Sequence, residues 1–547
     1  MSPVTLEEAL SQAVRKDVNL VVRHVAGAPT PCPPIFSAPI GEPDEPTICK
    51  QHFLAVSINP GAEKETKPDT DIEGSADSDE LLVFAIEVLV YTTDKLSTLF
   101  VSKADSTGYL SLLNRDQNSP AAYSLTRNVL STFLYHLVRI YQKPDITLVL
   151  SLFARAQDQY LFPGSSEHKG KHILDDRGLI KWWCRVIDPI MKSLEQGNND
   201  RSPVNSPDAA TVPTKQSVAT HLIVPGCDTF ETKNFIPKSG GPVNTPGSHW
   251  RLDYPLHQIC SYPDAPPRCL VPRFPDDPKA RFLIDLDDEI TDENPPHELK
   301  NSGKWHSVKT LDQFWEMMSY RQECSAGRLV GFLWMVVKPS TDPVKVSDPT
   351  PPQGSSADKN QTVKSDPIAK KESTVEKLST NHKHAIDSSI IEISNSDYKA
   401  LADFLLDLDF SNQSDATANT KLWIEELSSL SGCNKKGLRI TGTAAPVGPP
   451  PPAVTSASPV STNVLGDGLI RKRKRQPSTT AAVPGDNIVM PSDGPSSSQT
   501  AGDGSKVRTD LQATTVTQEQ ASNEPPVNVL GGEIELIPSE KRPAMSN

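Results

Sequence analysis

The chain has 547 residues, too many for one ordinary domain, yet only 36% are hydrophobic and 50 are proline. That composition excludes a packed core throughout and reads as one sizeable folded domain with long disordered stretches. The formal charge of −13 disfavours tracking of a nucleic-acid backbone; it suits a basic substrate, steered by opposite charge, or plain solubility.

In chain order, the pattern predicts a helix over Thr5–Arg15, with Thr5 as cap and Glu7 and Glu8 in the first turn. A proline-rich loop follows. Gln51–Ile58 reads as a strand. Leu81–Thr93, apolar on both faces, reads as a buried central strand, and Ser97–Asp105 as a third after a turn at Thr93–Lys95. Thr126–Tyr141 has apolar residues at helical spacing, and Ile146–Ala156 is strand-like. Gly178–Leu194 is a helix with Ile180, Trp183, Ile187 and Met191 down one side. A polar loop at Gln196–Ser217 and a short strand at His221–Gly226 come next. Arg281–Leu286 begins another apolar element, Thr310–Gln322 is a helix and Leu329–Val337 a strand.

Composition then changes. Lys338–His384 is polar and reads as a disordered insert, helical patterns return at Ser396–Leu408 and Thr420–Leu430, and low complexity follows Gly442. The expected organisation is a folded unit over 1–440, interrupted at about 338–385, and a disordered tail over 441–547. Strands and helices do not alternate regularly. The expected fold class is therefore mixed α/β (α+β): a central, largely β-meander sheet surrounded by helices, not a barrel or doubly wound sheet.

Eight scattered cysteines include no C-x-x-C pair, which argues against a zinc ribbon or redox dithiol, and no metal is expected. Cys184 has no histidine near it in sequence and reads as structural rather than nucleophilic. No signal-peptide pattern or membrane-length apolar run is visible, so a soluble intracellular protein is expected. Arg471–Arg475, RKRKR, fits a nuclear-import signal better than a plain solvated charge run. Two apparent pyrophosphate loops fail on context: Gln499–Gly504 lies in low complexity, and Arg328–Leu333 carries Leu333 where a small residue is needed.

Two segments carry candidate chemistry. Trp182 and Trp183 are adjacent on a helix and point about 100° apart, so both can be core or one can face a cleft. In Phe274–Phe282, FPDDPKARF, two neighbouring carboxylates would repel and raise one pKa, as a base for a lysine ammonium requires; the same string also reads as a plain surface turn.

Phe100–Tyr109, Phe153–Leu174, Leu179–Trp183 and Phe274–Phe282 together resemble the fungal Rtt-type histone H3 acetyltransferase family, whose fold is similar to that of the CBP-type acetyltransferases. The resemblance spans roughly Gln51–Val337, with a weaker echo at Ser396–Gly442. It implies acetyl-CoA as co-substrate, contacted by Ala104, Asp105 and Ser106, by Tyr123, Ser124, Leu125, Thr126 and Arg127 at a helix start, and by Phe153, Gln157, His172, Ile173, Leu174 and Trp182. Asp277 would be the acid implicated in catalysis, with Asp276 beside it; Trp183 would line the lysine tunnel, and Lys279 would be self-acetylated.

The resemblance further implies histone H3, as H3–H4, as substrate: a core lysine near the DNA entry point and tail lysines. It implies chaperones of the anti-silencing-function and nucleosome-assembly types as partners, a nuclear setting, and roles in replication-coupled nucleosome assembly and the DNA damage response. No direct nucleic-acid or membrane partner is expected. The alternative is a non-catalytic nuclear adaptor that binds histone or chaperone through a degenerate site.

Overall fold

The structure is a computed structural model; it describes residues 4–16, 18–60, 80–113, 125–199, 217–238, 243, 249–291, 303–321, 328–339, 389–432 and 437–445. The insert from residue 340, the tail from residue 446 and the basic run Arg471–Arg475 lie outside these residues, as do Tyr123 and Ser124.

Among the described residues eleven strands form one mixed sheet. They are β1 (Asn19–Gly27), β2 (Thr30–Cys32), β3 (Thr47–Ile58), β4 (Leu81–Thr92), β5 (Leu96–Ser106), β6 (Thr147–Arg155), β7 (Ser217–Ile223), β8 (Trp250–Arg251), β9 (Val330–Lys338), β10 (Ile390–Ile393) and β11 (Leu438–Thr441). Their order is β10-β1-β3-β4-β5-β6-β9-β7-β8, with β2 also on β3 and β11 also on β1. The antiparallel run β3-β4-β5 is the expected meander. The rest is mixed: β6 lies parallel to β5, while β9 is antiparallel to both β6 and β7.

Among the described residues ten α-helices accompany the sheet: α1 (Leu6–Ala13), α2 (Leu125–Tyr141), α3 (Asp176–Asn199), α4 (Thr229–Lys233), α5 (Leu256–Ile259), α6 (Pro267–Leu270), α7 (Ala280–Thr291), α8 (Leu311–Met318), α9 (Asn395–Leu406) and α10 (Gln413–Ser431). The period-2 alternation of strands sends side chains to two cores. Leu333, Met335 and Val337 of β9 join the core under α1, α2, α3, α9 and α10. Phe332, Trp334 and Val336 join the core under α5–α8. Both faces are covered, so β4 is buried at every position but Glu87, as its unbroken apolar run required.

Local signals fix several ends. Thr5 accepts from the Glu8 amide while Glu8 reaches back to the Thr5 amide, a capping box that starts α1. Asn412 caps α10, which starts at Gln413, seven residues before the expected Thr420, because the apolar stripe there begins later than the helix. Helix α8 ends at Met318, short of Gln322, and residues 319–321 follow as turn and bend.

Strands β1, β2, β8, β10 and β11 carry no strong sequence signal. In β1, every residue except Asn19 is buried although Arg23 and His24 sit at its centre. Arg23 pairs with Glu80, and His24 shares a 2.9 Å hydrogen bond with His52. The outer edge of β1 is divided between β11, which pairs with Asn19–Val22, and β10, which pairs with His24–Gly27.

Candidate active site

Parallel strands β5 and β6 pair only from Leu96–Val101 against Thr147–Leu152, yet β5 runs on to Ser106 and β6 to Arg155. Their carboxyl ends separate. On its other side, β5 is bulged: Glu87 pairs with Lys103 and Val88 with Val101, leaving Ser102 extra. Such a bulge re-aims the residues after it. The gap between the strands holds a cavity of ≈ 90 Å³.

The cavity wall collects residues distant in sequence. Ala104, Asp105 and Lys103 come from β5, Phe153 and Arg155 from β6, and Gln157 and Tyr160 from the loop after it. Leu179 and Trp183 come from α3, and Pro275, Asp276 and Pro278 from the turn before α7. Six of the expected site residues meet here: Ala104, Asp105, Phe153, Gln157, Trp183 and Asp276. Trp183 is 5% exposed and serves core and cavity at once, while Trp182 packs partly buried against the same core in a T-shaped contact at 5.0 Å. Helix geometry thus separates the two tryptophans.

Asp105 is engaged internally. One carboxylate oxygen accepts from the amides of Tyr160, Leu161 and Phe162 at 2.7, 2.9 and 3.3 Å. The other accepts from the Ser106 amide at 2.7 Å and from Lys171 Nζ at 2.9 Å. Five donors satisfy this carboxylate, so its visible task is to fold the 160–162 turn that brings Tyr160 to the cavity. The Tyr160 hydroxyl accepts from Arg155 at 2.8 Å.

The FPDDPKARF segment is not a plain surface turn. Asp276 has φ 51°, the only positive φ among the described non-glycine residues. That left-handed backbone is one that Asp tolerates better than most residues. Its side chain is 40% exposed, lines the cavity and faces Lys103 Nζ at 3.8 Å. Asp277 turns the other way and is buried. It accepts from the Phe274 and Lys279 amides at 3.3 and 2.8 Å, closing the turn that leads into α7. Lys279, 1% exposed, donates through Nζ to both Asp277 oxygens at 2.7 and 2.6 Å. The same ammonium faces the Phe153 ring at 4.4 Å and the Phe332 ring at 5.5 Å. Burial lowers the Lys279 pKa against the opposing pull of Asp277.

Other expected contacts fall outside the cavity. Leu125 is a core residue at the start of α2, and Thr126 and Arg127 beside it are half-buried. Burial and the nearby Arg185 lower the Arg127 pKa. Ser106 lies one residue past the cavity wall with its amide turned to Asp105. His172 and Ile173 are exposed and Leu174 is half-buried, so none of the three lines it. Asp277 does not line it either: its carboxylate is engaged by Lys279 Nζ and by the Phe274 and Lys279 amides. Cys184 is fully buried and burial pushes its thiol pKa up, as befits a structural cysteine. Sequence reasoning missed Lys103, Arg155, Tyr160 and Leu179 as wall residues, although all four stand inside the quoted motifs.

A family model described as the histone acetyltransferase KAT11-type domain matches residues 6–147 and 136–426. The chain belongs to this family. A KAT11-type enzyme is a protein lysine acetyltransferase, and acetyl-CoA is the acetyl donor the family implies. Among relatives, histone acetyltransferase rtt109 of Aspergillus flavus is 40% identical over 536 residues, covering 88% of this chain and 91% of that protein. Histone acetyltransferase rtt109 of Schizosaccharomyces pombe is 31% identical over 252 residues, 46% of this chain and 56% of that one. The crystal structure of Rtt109 from Aspergillus fumigatus aligns with a TM-score of 0.63 at 45% identity, covering 81% of this chain and all of that chain. The mixed sheet with helices on both faces is thus the fold of this KAT11-type group.

Proposed function

We propose that this KAT11-type enzyme acetylates histone H3, presented as H3–H4 by chaperones of the anti-silencing-function and nucleosome-assembly types. Its acceptors are a core lysine near the DNA entry point and lysines of the N-terminal tail. It works in the nucleus, in replication-coupled nucleosome assembly and the DNA damage response, with residues 1–440 as the catalytic unit. The observation that carries the catalytic part of this reading is the convergence of Trp183, Tyr160 and Asp276 on one cavity between splayed strands.

In this reading the lysine amine enters beside Trp183, loses a proton and attacks the thioester carbonyl. The C–N bond forms, the C–S bond breaks, and the departing thiolate takes up a proton. Asp276, whose side chain lines the cavity, receives the lysine proton; Asp277 is a positioning residue that locks the segment through Lys279. Ala104, Gln157 and Phe153 line the acetyl-CoA side, and Arg127 at the start of α2 meets a phosphate. Lys279 accepts an acetyl group from its own enzyme; burial lowers its pKa against the pull of Asp277. Acetylation of H3–H4 by the full chain with and without each chaperone, read by mass spectrometry, tests this; product on neither H3 core nor tail lysines sinks it.

A further inference from the structure

A second concavity, a groove of ≈ 490 Å³, opens at the carboxyl end of β7. Leu222, Val224 and Trp315 give it an apolar wall, and Asp253, Asp312 and Glu316 give it three carboxylates. No Lys or Arg lines it. Asp253 is paired with His221, and Asp312 accepts from the Tyr254 hydroxyl at 2.6 Å. The exposed Glu316 carboxylate has no hydrogen-bond or ion-pair partner among the described residues.

Two uncovered aromatic side chains belong to residues adjacent in sequence to lining residues of this groove. Phe230, next to lining residue Thr229, is 78% exposed, and Tyr320, next to lining residue Ser319, is 77% exposed. They are the most exposed large hydrophobic side chains among the described residues. Exposed aromatics grouped at one concavity mark an interaction surface better than scattered ones do.

The groove adjoins the catalytic cavity through the sheet. Phe153 of the cavity wall pairs with Phe332, and Phe332 pairs with Ile223 of the groove wall. Two interstrand steps make about 10 Å. The two concavities differ in charge: in the cavity Lys103 and Arg155 stand with Asp105 and Asp276, whereas no Lys or Arg lines the groove with its three carboxylates.

We infer that this groove docks the Lys- and Arg-rich histone segment flanking the acceptor lysine, its cations meeting Glu316 and its neighbours and its apolar groups packing on Phe230, Tyr320 and Trp315. The inference rests on the acetyltransferase reading for its choice of partner. Charge complementarity and continuity with the cavity select this occupant; the groove holds the chain and leaves acetyl-CoA to the cavity.

The test uses the full chain and a fluorescein-labelled peptide of the histone H3 tail, with binding read by anisotropy across a salt series. Glu316→Lys weakens binding at least tenfold and flattens the salt dependence, Tyr320→Ala and Phe230→Ala weaken it severalfold, and acetyl-CoA affinity stays unchanged in all three. Glu425→Lys, a charge reversal at an exposed position of α10, leaves peptide binding as in the unaltered enzyme. Unaltered binding in Glu316→Lys, or equal losses in Glu316→Lys and Glu425→Lys, overturns the docking site. Replacing Arg471–Arg475 by alanine serves as a further arm: tighter binding that depends on Glu316 would assign the groove to the chain's own basic run and overturn the histone occupant. Because binding is read without turnover, an enzyme that binds the peptide but transfers no acetyl group refutes the catalytic reading alone.

Discussion

The ammonium of Lys279 is held by both carboxylate oxygens of Asp277 and capped by the face of Phe153, so one buried ion pair ties the α7 entry to the cavity wall. Removing either partner leaves a buried charge uncompensated. Lys279→Met alone is expected to cost about 3–5 kcal/mol of stability, whereas Asp277→Leu with Lys279→Met recovers most of it. Urea unfolding of the two variants measures the difference; equal losses would show that the pair is not the source.

The same lysine sets an alkaline signature. Its folded pKa lies below the ordinary lysine value of 10.5, because burial disfavours the charged form. Between the lowered value and 10.5 the unfolded chain binds more protons, so stability contributed by this group rises with pH across that window. Lys279→Met should remove that rise in an unfolding series carried upward from pH ~8, and a persisting slope would place its origin elsewhere.

Acid acts through another buried group. His52 is 1% exposed, sits between His24 and the Tyr141 hydroxyl, and has its pKa driven well below 6.5 by burial first and by neighbouring His24 next. The folded protein keeps this ring neutral while the unfolded chain protonates near 6.5. Its share of stability is therefore present above 6.5 and is lost as pH falls from 6.5 toward the folded value. Thermal midpoints of His52→Gln should fall less than those of the unaltered enzyme between neutral pH and pH ~5.

Asp105 predicts a coupled loss of fold and binding. Asp105→Ala strands four backbone amides and Lys171, at a cost of about 3 kcal/mol or more. Hydrogen exchange should accelerate first at residues 160–162, and the KM for acetyl-CoA should rise because Tyr160 and Arg155 lose their support. Faster exchange spread evenly over the sheet would contradict this local role.

Trp183 separates chemistry from packing. Trp183→Ala empties core volume and should cost about 3–5 kcal/mol, but Trp183→Phe keeps an aromatic body in the core. The Phe variant should stay folded by near-ultraviolet circular dichroism and still lose at least tenfold in kcat/KM for histone. Full activity in that variant would remove Trp183 from the lysine path.

The sequence displays what depends on local periodicity. The central strands, the long helices and the caps at Thr5 and Thr310 follow from spacing and short-range hydrogen bonds. Strand β1 does not, because Arg23 and His24 interrupt its apolar run and their partners, Glu80 and His52, lie 57 and 28 residues away. The task of Asp105 was hidden likewise: four of its five donors stand 55–66 residues further along. FPDDPKARF was legible as a motif, but nothing in its letters says that Asp276 faces the cavity while Asp277 turns inward to Lys279. That division depends on the left-handed backbone at Asp276 and on aromatic rings from β6 and β9.

The shared outer edge of β1 orders events during synthesis. Asn19–Gly27 leaves the ribosome early, but its two outer partners, Ile390–Ile393 and Leu438–Thr441, follow some 360 to 420 residues later, at about 5–20 residues per second. For that interval an early strand has one edge unpaired, which is a template for unwanted association. The nascent chain therefore needs protection until its last strands arrive, and a truncation before Ile390 should aggregate even though both halves of the cavity wall are already made.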